Sequence, residues 1–166
     1  PTDPYQVQLL DSNGSLYYSS WVPRPADATV PDLQSQELAP FDRVSGVIPF
    51  VVPEDASIAR VLYRGDGSRF MTLSDLADAG AVAVGEPRAV SDAAGTSLGS
   101  VTVREVMDPF VDFDPNSPPA EGQRFVGLDL AFEAGDVLAD IDAGTIHDLL
   151  TIAAITRYAL LRESPR

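Results

Sequence analysis

From Gln123 to Glu133 the chain reads Gln-Arg-Phe-Val-Gly-Leu-Asp-Leu-Ala-Phe-Glu, and its side chains separate into two sets with a period of two. Val126, Leu128, Leu130 and Phe132 form one set. Phe125, Gly127, Asp129 and Ala131 form the other. A β-strand sends alternate residues to opposite faces, whereas a helix does not. The first set is therefore predicted to line a core. A slip of one residue would move all four side chains into water, so the register is strongly specified.

The rest of the chain carries similar strand signals between turn signals. Tyr5-Gln6-Val7-Gln8-Leu9 alternates apolar and polar residues. Asn13-Gly14 follows, a pair that tolerates positive φ and predicts a tight hairpin back to Leu16-Tyr17-Tyr18. Pro23, Pro25, Pro31 and Pro40 make residues 21–40 a long connection with at most an edge strand. Residues 43–53 read as a strand, and Pro49 within it predicts a sheet edge or a bulge. Residues 59–64 and 69–73 form a second predicted hairpin around Gly65-Asp66-Gly67. Residues 77–97, rich in Ala, Gly, Asp and Ser, read as a linker with only a short strand near Val82 and Val84. A strand with Val101 and Val103 on one face comes next. A loop holding Pro109, Pro115, Pro118 and Pro119 then leads to the 123–133 strand.

The C-terminal segment changes period. Ile146, Leu149, Leu150, Ile152, Ala153, Ile155, Ala159, Leu160 and Leu161 recur at helical spacing, which predicts a helix over about 146–162. Its stripe needs burial on the sheets, on a partner or on a second copy. Leu149, Ile152, Ile155 and Leu160 are the candidate interface residues.

Charge narrows the partners. The formal net charge is −14, and all 11 basic residues are Arg. Such a surface repels phosphate backbones and anionic headgroups, which argues against nucleic acid. No apolar run approaches the length of a membrane span, so no membrane insertion is expected. Cys is absent and His147 is the single histidine. Disulfides, thiol catalysis and zinc-thiolate sites find no residues here, and a single histidine nearly excludes Ser-His-Asp catalysis and a two-His metal site within one chain. The chain starts at Pro1 without a basic and apolar leader, which fits a cytosolic protein or a mature exported form.

Asp108, Asp112, Asp114 and Asn116 place four oxygen-bearing side chains in one loop and are the candidate metal ligands, with Ca²⁺ the candidate ion. The spacing is not that of an EF-hand, and the same residue types serve turns. Asp136, Asp140 and Asp142 form a blander acidic cluster. Trp21, Tyr17, Tyr18 and Tyr5 offer a platform for a sugar or peptide, although aromatics at strand spacing usually belong to a core. Arg64-Gly65-Asp66 is explained by turn chemistry. No carboxylate pair stands out for glycoside hydrolysis, and no cofactor motif is present.

One family resemblance joins these segments. Residues 98–134 resemble bacterial telokin-like, immunoglobulin-like extracellular domains. The carriers are Val101-Thr102-Val103 with Val106, Asp108-Pro109, and Glu121-Gly122-Gln123-Arg124-Phe125-Val126 running into Leu128-Asp129-Leu130. Residues 4–73 resemble the remainder of such a domain through Leu9-Leu10-Asp11-Ser12-Asn13-Gly14, Leu38-Ala39-Pro40, Val44-Ser45-Gly46, Ile48-Pro49-Phe50-Val51-Val52-Pro53 and Val61-Leu62-Tyr63. The order is reversed relative to that family. The domain is then circularly permuted or its halves swap between copies; tandem domains and an expressed fragment are the plainer alternatives.

The resemblance implies an all-β fold, an immunoglobulin-like antiparallel β-sandwich; the reversed order makes it permuted or strand-swapped, and the periodicity of residues 146–162 adds one C-terminal α-helix. The expected layout is a sandwich over residues 1–142, built from halves 1–76 and 98–134 joined by linker 77–97, then the helical tail 143–166. The expected function is non-enzymatic: a secreted or cell-surface module that binds a protein partner or assembles with itself. The alternative is a Ca²⁺- or small-ligand-binding module using the 108–116 loop.

Overall fold

The computed structural model describes residues 6–64, 70–77, 84–91 and 97–135. The helix expected over 146–162 lies outside the described residues, with Leu149, Ile152, Ile155 and Leu160. So do His147, Tyr5, the Gly65-Asp66-Gly67 turn and the Asp136, Asp140 and Asp142 cluster.

Strands form where the sequence alternates. In chain order they are β1 (Val7–Asp11), β2 (Leu16–Tyr18), β3 (Arg43–Pro53), β4 (Ile58–Tyr63), β5 (Met71–Asp75), β6 (Pro87–Ser91), β7 (Ser97–Met107) and β8 (Gln123–Ala134). Among the described residues they make two antiparallel four-stranded sheets, ordered β2-β1-β4-β5 and β3-β8-β7-β6. The described part is all-β, and none of its helices is long and apolar enough to cross a membrane.

The two sheets share one core. Val7, Leu9, Val61, Tyr63 and Leu73 from the first meet Ile48, Phe50, Val52, Val101, Val103, Val126, Leu128, Leu130 and Phe132 from the second. The expected set on β8 lines this core: Val126, Leu128 and Leu130 are fully buried and Phe132 nearly so. Burying one such side chain is worth about 1.5–3 kcal/mol relative to leaving it in water. Tyr63 and Phe132 bridge the layers with ring centroids 6.0 Å apart.

β3 and β8 pair without interruption from Arg43 opposite Glu133 to Pro53 opposite Gln123. The early and late β-rich segments thus lie side by side within one chain. β3 is the edge of its sheet, as Pro49 predicts, because a proline there leaves no ladder donor missing. On β7 the register shifts between Val103 and Glu105. This bulge reconciles the odd spacing of Val101, Val103 and Val106: the extra residue turns Val106 back toward the core.

Two local expectations need correction. Residues 77–97 are not simply a linker, because Pro87–Ser91 form β6 and pair with β7 from Thr102 to Ser97. Only Val90 of β6 is buried, so the strand leaves almost no apolar pattern in the sequence. The first hairpin does not turn on Asn13-Gly14 alone. Asp11 N donates to Ser15 O at 3.0 Å and Gly14 N donates to Asp11 O at 3.2 Å. Gly14 has φ +90° and Asn13 does not adopt positive φ. The Asp11 carboxylate sets the loop by accepting from Asn13 N at 2.9 Å, Ser15 N at 2.8 Å and the Tyr17 hydroxyl at 2.9 Å.

Candidate functional site

The outward face of the β3–β8 pair is apolar as well, through Val47 and Phe125. Both would be costly in water. The two proline-rich connections cover them: Val22, Val47, Phe110 and Phe125 form a second buried cluster, with Val30, Val51, Met107 and Phe113 packed around it. Phe113 meets Phe125 edge-on, with centroids 5.0 Å apart. Phe110 lies over Gly127, where an added Cβ would come within 2.6 Å of its ring.

Arg24 fastens this layer. Its side chain is only 5% exposed. Nη1 donates to Val30 O at 2.7 Å and to Asp32 Oδ1 at 3.0 Å. Nε donates to Asp112 O at 3.2 Å, and Nη2 pairs with Asp112 Oδ2. The guanidinium carbon also sits 5.4 Å from the Phe110 ring centroid. Burial alone would pull the Arg24 pKa down, but hydrogen bonds and charge from Asp32 and Asp112 outweigh it and raise it. One arginine thereby joins residues 24–32 to residues 110–112 across the sheet face.

A cleft of about 400 Å³ opens beside this layer. Its walls are Ser19, Ser20, Trp21 and Val22 on one side and Asp32, Leu33, Gln34 and Ser35 on the other, with Val47, Ile48 and Pro49 as the floor. The walls are held by the edge of β3. Val47 N donates to Pro31 O at 2.9 Å, Leu33 N donates to Val47 O at 3.0 Å, and Ser20 N donates to Pro49 O at 2.9 Å. Gly46 permits the approach, because a Cβ there would lie 2.6 Å from Leu33 N and 2.7 Å from Pro31 O. Trp21 stands at the rim, 85% exposed, between the anchored Ser20 and the buried Val22. The Ser19 hydroxyl is buried in this wall without a hydrogen-bond partner among the described residues.

The aromatic residues singled out in the sequence therefore divide. Trp21 and Tyr18 are exposed rather than core, at 85% and 60%. Tyr17 is half-buried against Asp11, and its pKa is raised by burial and by that carboxylate. Tyr5 lies outside the described residues. The sequence reading missed the cleft, yet a signal existed. Val22, Val30 and Leu33 are apolar residues in a connection otherwise rich in Pro and polar groups, and such residues need a surface to cover.

The four candidate metal ligands occupy three separate settings. Asp108 receives a forked pair from Arg124, with Nε to Oδ1 at 2.6 Å and Nη2 to Oδ2 at 2.9 Å. Asp112 pairs with Arg24. Asp114 and Asn116 do come together, but Asp114 Oδ1 accepts both Asn116 N and Asn116 Nδ2 at 2.9 Å, an arrangement of a turn. Among the described residues no group of three or more His, Cys, Asp or Glu side chains converges.

Compared with known proteins, the chain matches no family, no curated protein and no solved structure.

Proposed function

We propose that this chain is a non-catalytic, extracellular immunoglobulin-like module that works by binding, and that its binding face is the loop layer over β3 and β8. The observation that carries this reading is Trp21, a large apolar side chain left 85% in water at the rim of a cleft whose walls are pinned. Trp is enriched where proteins meet ligands, because its body is apolar and its tip polar. The same layer presents Val111, 76% exposed, directly after the buried Phe110. The two antiparallel four-stranded sheets around one core support the immunoglobulin-like assignment, and the sequence resemblance of residues 4–73 and 98–134 motivates it. The expected secreted or cell-surface location goes with that assignment.

Self-assembly is the form of binding that the 146–162 sequence stripe favours. Absolute mass by light scattering over a concentration series separates the surfaces. The wild type is compared with Trp21→Ala and with the double variant Leu149→Asp, Ile155→Asp. Mass that rises with concentration and falls back in one variant assigns self-association to that surface. Constant monomeric mass in all three leaves a foreign ligand as the occupant of the cleft. Turnover of a defined substrate by the purified chain, lost on replacing one carboxylate, overturns the non-catalytic reading.

A further inference from the structure

We propose that the cleft beside β3 takes a neutral, hydroxyl-rich ligand of the carbohydrate class, with Trp21 as its stacking platform. This rests on the binding-module reading above and names the ligand class for it.

The floor argues against an extended peptide. A peptide adding to a sheet edge needs free backbone donors and acceptors. Here Val47 N and O are taken by Pro31 and Leu33, Pro49 has no N–H, and Pro49 O is taken by Ser20. The electrostatics argue against an anion. Arg24 is paired with the wall residue Asp32, and Asp112 and two carbonyls also engage it while its side chain stays buried. The chain's charge of −14 adds to that repulsion.

What the cleft offers is an indole, uncharged polar side chains and one carboxylate, that of Asp32. The side chains of Ser20, Gln34 and Ser35 make no hydrogen bond among the described residues. Asp32, already held by Arg24, presents a half-exposed carboxylate that accepts from hydroxyls. A sugar ring has the matching anatomy, with C–H groups on its faces and hydroxyls at its edge. The volume of about 400 Å³ lies within the usual range for small-ligand sites, roughly 300–1,000 Å³. Because Ser20 and Val22 are both anchored, Trp21 is presented from fixed backbone, and little order remains to be imposed on binding.

Trp21 is the chain's only tryptophan, so its fluorescence reports this site alone. The probes are neutral gluco-, manno-, xylo-, galacto- and chito-oligosaccharides, with a random decapeptide pool as comparison. Expected is a saturable blue shift or quench with at least one oligosaccharide. Gln34→Ala is expected to weaken it about tenfold. Trp21→Ala is expected to abolish the calorimetric heat while leaving the melting temperature unchanged. Chromatography after each titration checks the sugar. A shortened oligosaccharide keeps the ligand class but overturns the non-catalytic reading. No response to any oligosaccharide, or a response to the peptide pool alone, overturns the ligand class. The light-scattering series then still decides whether the face binds copies of the chain.

Discussion

Arg124 holds Asp108 in a two-point fork, and with its remaining reach it gathers the turn that follows β3. Nη1 donates to Pro53 O at 2.6 Å and Glu54 O at 2.8 Å, and Nη2 donates to Ala56 O at 2.7 Å. The hydrogen bonds to Asp108 raise the Arg124 pKa, against the opposing effect of burial. One side chain on β8 thus ties the end of β7 to the β3–β4 connection. Lysine keeps the charge but has no planar fork. Arg124→Lys is expected to cost about 1–3 kcal/mol, read as a lower urea midpoint at constant m-value. A midpoint within error of wild type would show that the fork contributes nothing net.

Arg24→Ala should cost about 2–3 kcal/mol, because it strands Asp112 and the Val30 carbonyl beside a buried ring. The figure stays below that of a fully buried pair because Asp112 and Asp32 are 35% and 48% exposed. A double-mutant cycle with Asp112→Ala is expected to show coupling of about 1 kcal/mol or more. Additive losses would mean that the Arg24–Asp112 ion pair contributes nothing net and that Arg24 acts through its packing and its bonds to Val30 and Asp32.

Two glycines make a graded pair. Gly127→Ala pushes a methyl against the Phe110 ring and Met107 Cε, and side chains can give way. Gly46→Ala pushes one against backbone atoms of Pro31 and Leu33, which cannot move without opening the cleft wall. The first is expected to cost about 1–2 kcal/mol and the second about 3 kcal/mol or more. Phe110→Leu should recover part of the first loss and none of the second. Equal losses measured by chemical unfolding would contradict this ordering.

How much of this was legible in the sequence depends on how many faces a segment buries. β8 and β3 bury regular alternate sets, so their bounds and inward residues could be read directly. β6 buries one side chain, Val90, and its identity as a strand comes from pairing with β7. The proline-rich connections carry no period because they follow the shape of the sheet beneath them. Arg24 and Trp21 therefore looked like loop residues, although one fastens the layer and the other rims its cleft. The acidic loop read as a metal site because the arginines that take up Asp108 and Asp112 lie far off in sequence.

Asp11 gives the chain a pH dependence with a defined sign. Backbone hydrogen bonding from Ser15 chiefly lowers its pKa below the ordinary 3.8; burial opposes this, and Tyr17 and Asn13 add to the lowering. A carboxyl depressed on folding stabilises the fold above its unfolded pKa, and that contribution disappears as pH falls through the folded value. Asp11→Asn keeps the shape and removes the charge. Its melting temperature is expected to lie below wild type at neutral pH, and the gap should close in acid. A gap constant from neutrality to pH values below 3.8 would rule out the carboxylate as the cause.

Millimolar Ca²⁺ is expected to leave the melting temperature unchanged, because Asp108 and Asp112 already face guanidinium groups. A rise that vanishes in Asp114→Asn would reinstate the 108–116 loop as a cation site.

The long pairing of β3 with β8 also has a consequence during synthesis. β3 leaves the ribosome well before its partner, whose residues begin some 70 positions after β3 ends. Until β8 emerges, the nascent chain carries an apolar strand with both edges open, the state most prone to pair with a stranger. Pro49 and Pro53 remove two amide hydrogens from one of those edges. The prolines that suit β3 to a sheet border in the finished protein also shield it while translation catches up.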